Sequence, residues 1–163
     1  MARTRTVVRP LCAGEEAMQG RESMQETKDC IVRAITNAAC GEYTYEEVHA
    51  VCRQHGRVNN QGMTADMYFP LLVKLGFELK FVCGTTNAAM YADRVAKEMQ
   101  LQYRRVKGVT LERARCGLGK GSFFVAIIGH ATCVVNGNIY DRGAMKGGCS
   151  VTHVWKFKGK PQT

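Results

Sequence analysis

The sequence predicts an α+β domain, and three observations carry the prediction. Helical periodicity dominates residues 30–115, short apolar or alternating runs take over from 123 to 157, and Asn136-Gly137 separates two of those runs as a hairpin turn would. Helices first and strands last describe N-terminal helices packed on a C-terminal antiparallel sheet. At 163 residues and 45% hydrophobic content the chain can bury one core and is short for two, so residues 25–163 are expected to form a single domain. Residues 1–24, rich in Arg, Glu, Gly and Met and without sustained periodicity, read as an irregular N-terminal arm.

The first helix opens at Cys30, where Ile31, Ala34, Ile35 and Ala38 recur at helical spacing, and runs to Ala39 with Gly41 placed for a left-handed cap. Thr44 and Glu47 fit a capping box for the second, whose inner face carries Tyr45, Val48 and Cys52 before Gly56 stops it. Pro70 would remove a hydrogen bond from the interior of any helix spanning 64–75, so a short helix from Pro70 to Leu75 is expected, with proline at its first position. Phe77, Leu79 and Phe81 alternate with Glu78 and Lys80 as a half-buried strand does. Thr86 caps a helix carrying Ala88, Tyr91, Ala92, Val95 and Met99, and Thr110 caps a brief one through Arg115. Strands follow at 123–128, 131–135, 138–141 and 151–157, separated by Gly-rich turns.

No stretch has the apolar length to span a bilayer, and the N-terminus lacks the apolar core of a secretory signal, so no membrane partner and a cytoplasmic location are expected. The eight cysteines are scattered with no CxxC pair, which fits free thiols in a reducing compartment. The net charge of +9 is concentrated partly at the ends, in Arg3, Arg5 and Arg9 and in Lys156, Lys158 and Lys160. Solvated basic tails with weak, non-specific attraction to nucleic acid account for it, since Phe123, Phe124, Trp155 and Phe157 lie in strand-like runs apart from the basic residues.

Cys30 is the best nucleophile of the eight cysteines because it stands in the first turn of a helix, where unpaired N–H groups and the dipole favour a thiolate. Cys40 closes the same helix at its unfavourable end, Cys52 falls on an apolar helix face, and Cys133 lies within a strand. If Asn136-Gly137 is a two-residue turn, Val135 pairs with Asn138, His130 faces Gly143 and Thr132 faces Asp141. His130 and Asp141 then become diagonal neighbours on one face, where the carboxylate can orient the imidazole. His153, alternating with Val151, Trp155 and Phe157, reads as a core-lining imidazole, and His49 and His55 as surface or packing residues.

Metal chemistry has less support. His49 and Cys52 share a helix face, but in a strand His130 and Cys133 point to opposite faces, so no metal or cofactor is expected. Gly117-Leu-Gly-Lys-Gly121 precedes a strand and lacks the Ser/Thr and helix of a phosphate-binding loop, and reads as a connection near the cleft.

The order of these residues, with D-C-I-V-R-A-I at 29–35 and G-H-A-T-C-V-V-N-G-N-I-Y-D at 129–141, resembles papain-like cysteine peptidases. Within that superfamily it looks most like small bacteriocin-processing-like peptidase domains and phage or bacterial proteins carrying D-C-x-x-R-A. The resemblance implies the papain-like fold, Cys30 as nucleophile, His130 as base, Asp141 as orienting residue, and a polypeptide substrate whose peptide or isopeptide bond is cleaved through a thioester. It also implies host cytoplasm as the location if the chain is phage-encoded. The family places an oxyanion-donating Gln six residues before the Cys; Met24 stands there, and Gln25, one residue closer, takes that role with the Cys30 backbone N–H. The alternative is a catalytically inactive papain-like phage protein, a basic binding or inhibitory module acting on a host protein or nucleic acid.

Overall fold

The computed structural model describes residues 20, 21, 24, 28–140 and 148–162. Among them the helices are α1 (Cys30–Ala38), α2 (Tyr45–Gln54), α3 (Ala65–Leu75), α4 (Asn87–Glu98) and α5 (Leu111–Gly117). The strands are β1 (Phe77–Cys83), β2 (Arg104–Val106), β3 (Ser122–Ile127), β4 (His130–Val135), β5 (Asn138–Tyr140) and β6 (Val151–Phe157), in the sheet order β2-β1-β6-β3-β4-β5. The architecture is α+β.

The expected all-antiparallel sheet is corrected on one side. β1 joins the C-terminal strands as antiparallel neighbour of β6, and β2 runs parallel to β1 after the α4 crossover, so the sheet is mixed. β2 has no signature of its own: Arg104-Arg105-Val106 shows no alternation, and its place at the sheet edge is set by its partner.

Local signals placed most elements. The Thr44 side chain accepts the Glu47 N–H at 3.1 Å while the Glu47 side chain accepts the Thr44 N–H at 2.9 Å, so the capping box of α2 is complete. Thr86 and Thr110 cap α4 and α5 through the Ala89 and Arg113 N–H groups. Asn136 and Gly137 both take positive φ, 50° and 83°, and Val135 pairs with Asn138, Val134 with Ile139 and Cys133 with Tyr140.

α3 differs from expectation. It starts at Ala65, five residues ahead of Pro70, which sits inside it. The missing amide bond costs about 3 kcal/mol. Against that, the extra turn buries Tyr68 and Phe69, and fully burying a large apolar side chain contributes about 1.5–3 kcal/mol. The helix ends at Gly76, whose φ of 100° and whose missing Cβ, which would stand 2.0 Å from the Gly159 carbonyl oxygen, both require glycine.

The sheet separates two apolar layers. On one face Phe77, Leu79, Val82, Phe124, Ala131, Cys133 and Trp155 pack against α1–α4; on the other Phe123, Val125, Val134, Val151 and Val154 pack against Leu111 and Ala114 of α5. Val151 was expected on the face of His153 and Trp155. A register shift between Ala126 and Ile127 turns it to the α5 side instead. At the C-terminal end, Lys156 and Lys160 are not freely solvated: their ammonium groups lie over the rings of Phe123 and Tyr43, at 5.8 and 5.0 Å. No described helix is long and apolar enough to cross a membrane.

Candidate active site

α1 packs across β3 and β4 with its N-terminus directed at the start of β4. Cys30, half-buried, is its first residue, and the backbone N–H groups of Ala131 and Ile31 lie near enough to its thiol to favour the thiolate. Ala131 follows His130, the first residue of β4, which pairs with Ile127 across the tight turn at Ile128-Gly129. Cys30 and His130 consequently line one cavity of about 290 Å³. Its walls are Ile31, Met63, Ala65, Tyr68, Ala88, Ala92 and Ile127, and the Thr64 and Tyr91 side chains stand at its rim, where both hydroxyls donate to Asp66. Two larger, shallower depressions, of about 540 and 560 Å³, contain neither cysteine nor histidine, so chemistry rather than size selects the smaller one.

The environment of the thiol departs from the sequence reading in sign. A helix start was expected to favour the thiolate, but burial pushes the Cys30 thiol above its ordinary range, and the negative Asp29 adds to that; the Ala131 and Ile31 N–H groups and Arg33 act the other way and are outweighed. Proton removal from Cys30 therefore needs a partner. Cys52 and Cys83, pushed up to about 12 by burial, are inert packing residues, and Cys40 and Cys116 are exposed.

Asp29 and Arg33, four residues apart at the start of α1, form a buried pair beside Cys30. The Asp29 carboxylate, fully buried, accepts the Tyr45 hydroxyl at 2.7 Å and Arg33 Nε at 3.0 Å, and Arg21 Nε lies at 3.2 Å. Arg33 is also one turn from Asp29, its N–H bonded to the Asp29 carbonyl at 2.9 Å. This cluster ties the start of α1 to α2. The sequence displayed the pair at helical spacing without indicating that it is buried.

Gln25 and Asp141 lie outside the described residues, and so does the ladder position that would set Asp141 against Thr132. The last described pair, Cys133 with Tyr140, and the bond from Thr132 Oγ1 to the Tyr140 carbonyl at 2.7 Å follow the expected register.

His153 is the core imidazole that the alternation implied. It is 2% exposed, its Nε2 stands 2.9 Å from the Tyr68 hydroxyl, and its Nδ1 accepts the Trp155 indole N–H at 3.2 Å. His49 is buried against Tyr45, and His55 contacts the Val51 carbonyl. Burial pushes His153 down to about 3. The unfolded chain takes up that proton near 6.5, the native state only near 3, so the stability associated with neutral His153 is complete above 6.5 and is lost as pH falls from there toward 3. The expected slope is about 1.4 kcal/mol per pH unit. Urea unfolding from pH 7 to 4 checks it: wild type should lose stability more steeply than His153→Gln, and parallel curves contradict the assignment.

Among the described residues no group of three His, Cys, Asp or Glu is placed to hold a metal ion. No family model matches the sequence, and no curated protein or solved structure matches the chain.

Proposed function

We propose that the chain is a thiol hydrolase of papain-like arrangement that cleaves a peptide or isopeptide bond, with Cys30 as nucleophile and His130 as base. The observation that carries this reading is the shared cavity: a half-buried thiol at a helix start and a histidine at a strand start line the same cleft, with Ala131, next to His130, close to the sulfur. Asp141 as orienting residue and Gln25 as oxyanion donor complete the proposal.

In the first half-reaction the Cys30 sulfur bonds to the substrate carbonyl carbon while its proton passes to His130. Collapse of the tetrahedral adduct breaks the C–N bond, and the proton held by His130 goes to the leaving amine. Water then adds to the thioester, giving a proton to His130; the C–S bond breaks, the acid leaves, and the proton returns to sulfur. The cavity is walled in part by small and apolar residues, Ala65, Ala88, Ala92 and Met63, which suits a small or apolar substrate residue.

p-Nitrophenyl acetate, an active ester, tests the reading. Wild type should release a stoichiometric burst of nitrophenolate, carry an acetyl group on Cys30 and then turn over. Acetylation of Cys30 should exceed that of the exposed Cys40 and Cys116 by about a hundredfold or more. Cys30→Ala should show no burst. Acetylation of Cys30 no faster than that of the exposed thiols would overturn the hydrolase and leave the binding module.

A further inference from the structure

Tyr68 is buried, 7% exposed, and walls the same cavity as Cys30. Its hydrogen-bond geometry follows from Trp155. An indole N–H can only donate, so His153 Nδ1, 3.2 Å away, must be the acceptor, and a neutral imidazole then carries its proton on Nε2. That Nε2–H donates to the Tyr68 hydroxyl oxygen at 2.9 Å. The phenol oxygen is thereby occupied as acceptor, and its own hydrogen must be given elsewhere. Among the described residues the Tyr68 hydroxyl has no other hydrogen-bond partner, which is costly for a buried donor unless the cavity itself supplies the acceptor.

The hydroxyl lies within electrostatic reach of the reacting sulfur. Burial first, and then negative charge on Cys30, raise the Tyr68 phenol above its ordinary range, so it remains a proton donor throughout the neutral range. The backbone N–H groups of Ala131 and Ile31 meanwhile act on the Cys30 sulfur and favour its thiolate. The carbonyl oxygen of a bound acyl group needs donors of its own, and Tyr68 lines the cavity such a group would occupy.

We propose that Tyr68 is an oxyanion donor: its hydroxyl hydrogen, aimed by the Trp155-to-His153 relay, bonds to the carbonyl oxygen of the acyl group under attack by Cys30. The proposal rests on the thiol-hydrolase reading and adds a catalytic residue to it. Tyr68 then acts beside the donors already proposed, Gln25 and the Cys30 backbone N–H in the first turn of α1. No proton is transferred; the phenol keeps its hydrogen while the oxygen gains and then loses negative charge.

Two reactions of Cys30 separate this role from a structural one. Acetylation by p-nitrophenyl acetate passes through an oxyanion, whereas alkylation by iodoacetamide displaces iodide at a saturated carbon and does not. In Tyr68→Phe the acetylation rate should fall by about tenfold to a hundredfold while alkylation of Cys30 changes less than about twofold. Trp155→Phe, which lets His153 move its proton to Nδ1 and accept the Tyr68 hydrogen instead, should lower acetylation in the same selective way. Thermal unfolding of each variant confirms that it folds. Equal rates of acetylation in wild type and Tyr68→Phe overturn the proposal while leaving the hydrolase standing, and so does a parallel fall in both reactions. A wild type without any burst overturns both.

Discussion

Alanine in place of His130 should slow alkylation of Cys30 at pH 7 by about a hundredfold or more, the contribution of a positioned general base. The sign follows from the thiol's surroundings. Burial holds Cys30 protonated to higher pH than an ordinary thiol, so without a base its labelling should rise about tenfold per pH unit through the neutral range and level off only above the ordinary thiol range. In the proposed reading His130 accepts that proton, and wild-type labelling should stay well above that of the variant across the neutral range. Site-resolved mass spectrometry after short exposure to iodoacetamide reads both profiles, with the exposed Cys40 and Cys116 as internal references. A wild-type Cys30 that follows the same slow, rising profile as the variant would remove His130 from the chemistry.

The largest effect on stability is expected at Asp29. Removing one partner from a buried ion pair leaves the other charge uncompensated, at a cost of about 3–5 kcal/mol. Asp29 is fully buried with Arg33 at 3.0 Å and the Tyr45 hydroxyl at 2.7 Å, so Asp29→Ala should lower the urea midpoint by that amount of free energy. Removing both ends of the pair tests the cause. Asp29→Leu combined with Arg33→Met and Tyr45→Phe should recover much of the loss, because no buried polar group is then left facing the lost carboxylate, and Arg21 is exposed enough to turn to solvent. If the triple variant is as unstable as the sum of its parts, the buried carboxylate and its partners are not the source of the effect.

Legibility along the chain followed the range of the interactions concerned. The capping box at Thr44 and Glu47, the Thr86 and Thr110 caps and the Asn136-Gly137 turn are contacts between residues two to four apart, and a short window of sequence contains both partners. α3 was half-legible: Pro70 pointed to a late start, and only the burial of Tyr68 and Phe69 under the sheet explains why the helix runs through it. β2 was not legible, since three residues at an edge take strand form from β1 alongside them. At the site, Cys30 and His130 were visible as residue types at suitable element starts. Tyr68 was not, because it lay in a stretch read as preceding a short helix, and its link to His153 spans 85 residues.

By itself the sequence determined the fold class, the capped helix starts at Thr44, Thr86 and Thr110, and the hairpin register as far as Tyr140, all of which rest on periodicity and near-neighbour bonds; it also singled out Cys30 and His130 as candidates. The tertiary structure decided what surrounds them. It joined β1 and β2 to the C-terminal strands, buried Asp29 and Arg33 as a pair, raised the Cys30 thiol where the helix start alone would lower it, and set Tyr68 between His153 and the cleft. Burial and orientation depend on segments distant in the chain, and desolvation, which reverses the sign at Cys30, exists only once those segments have closed around it.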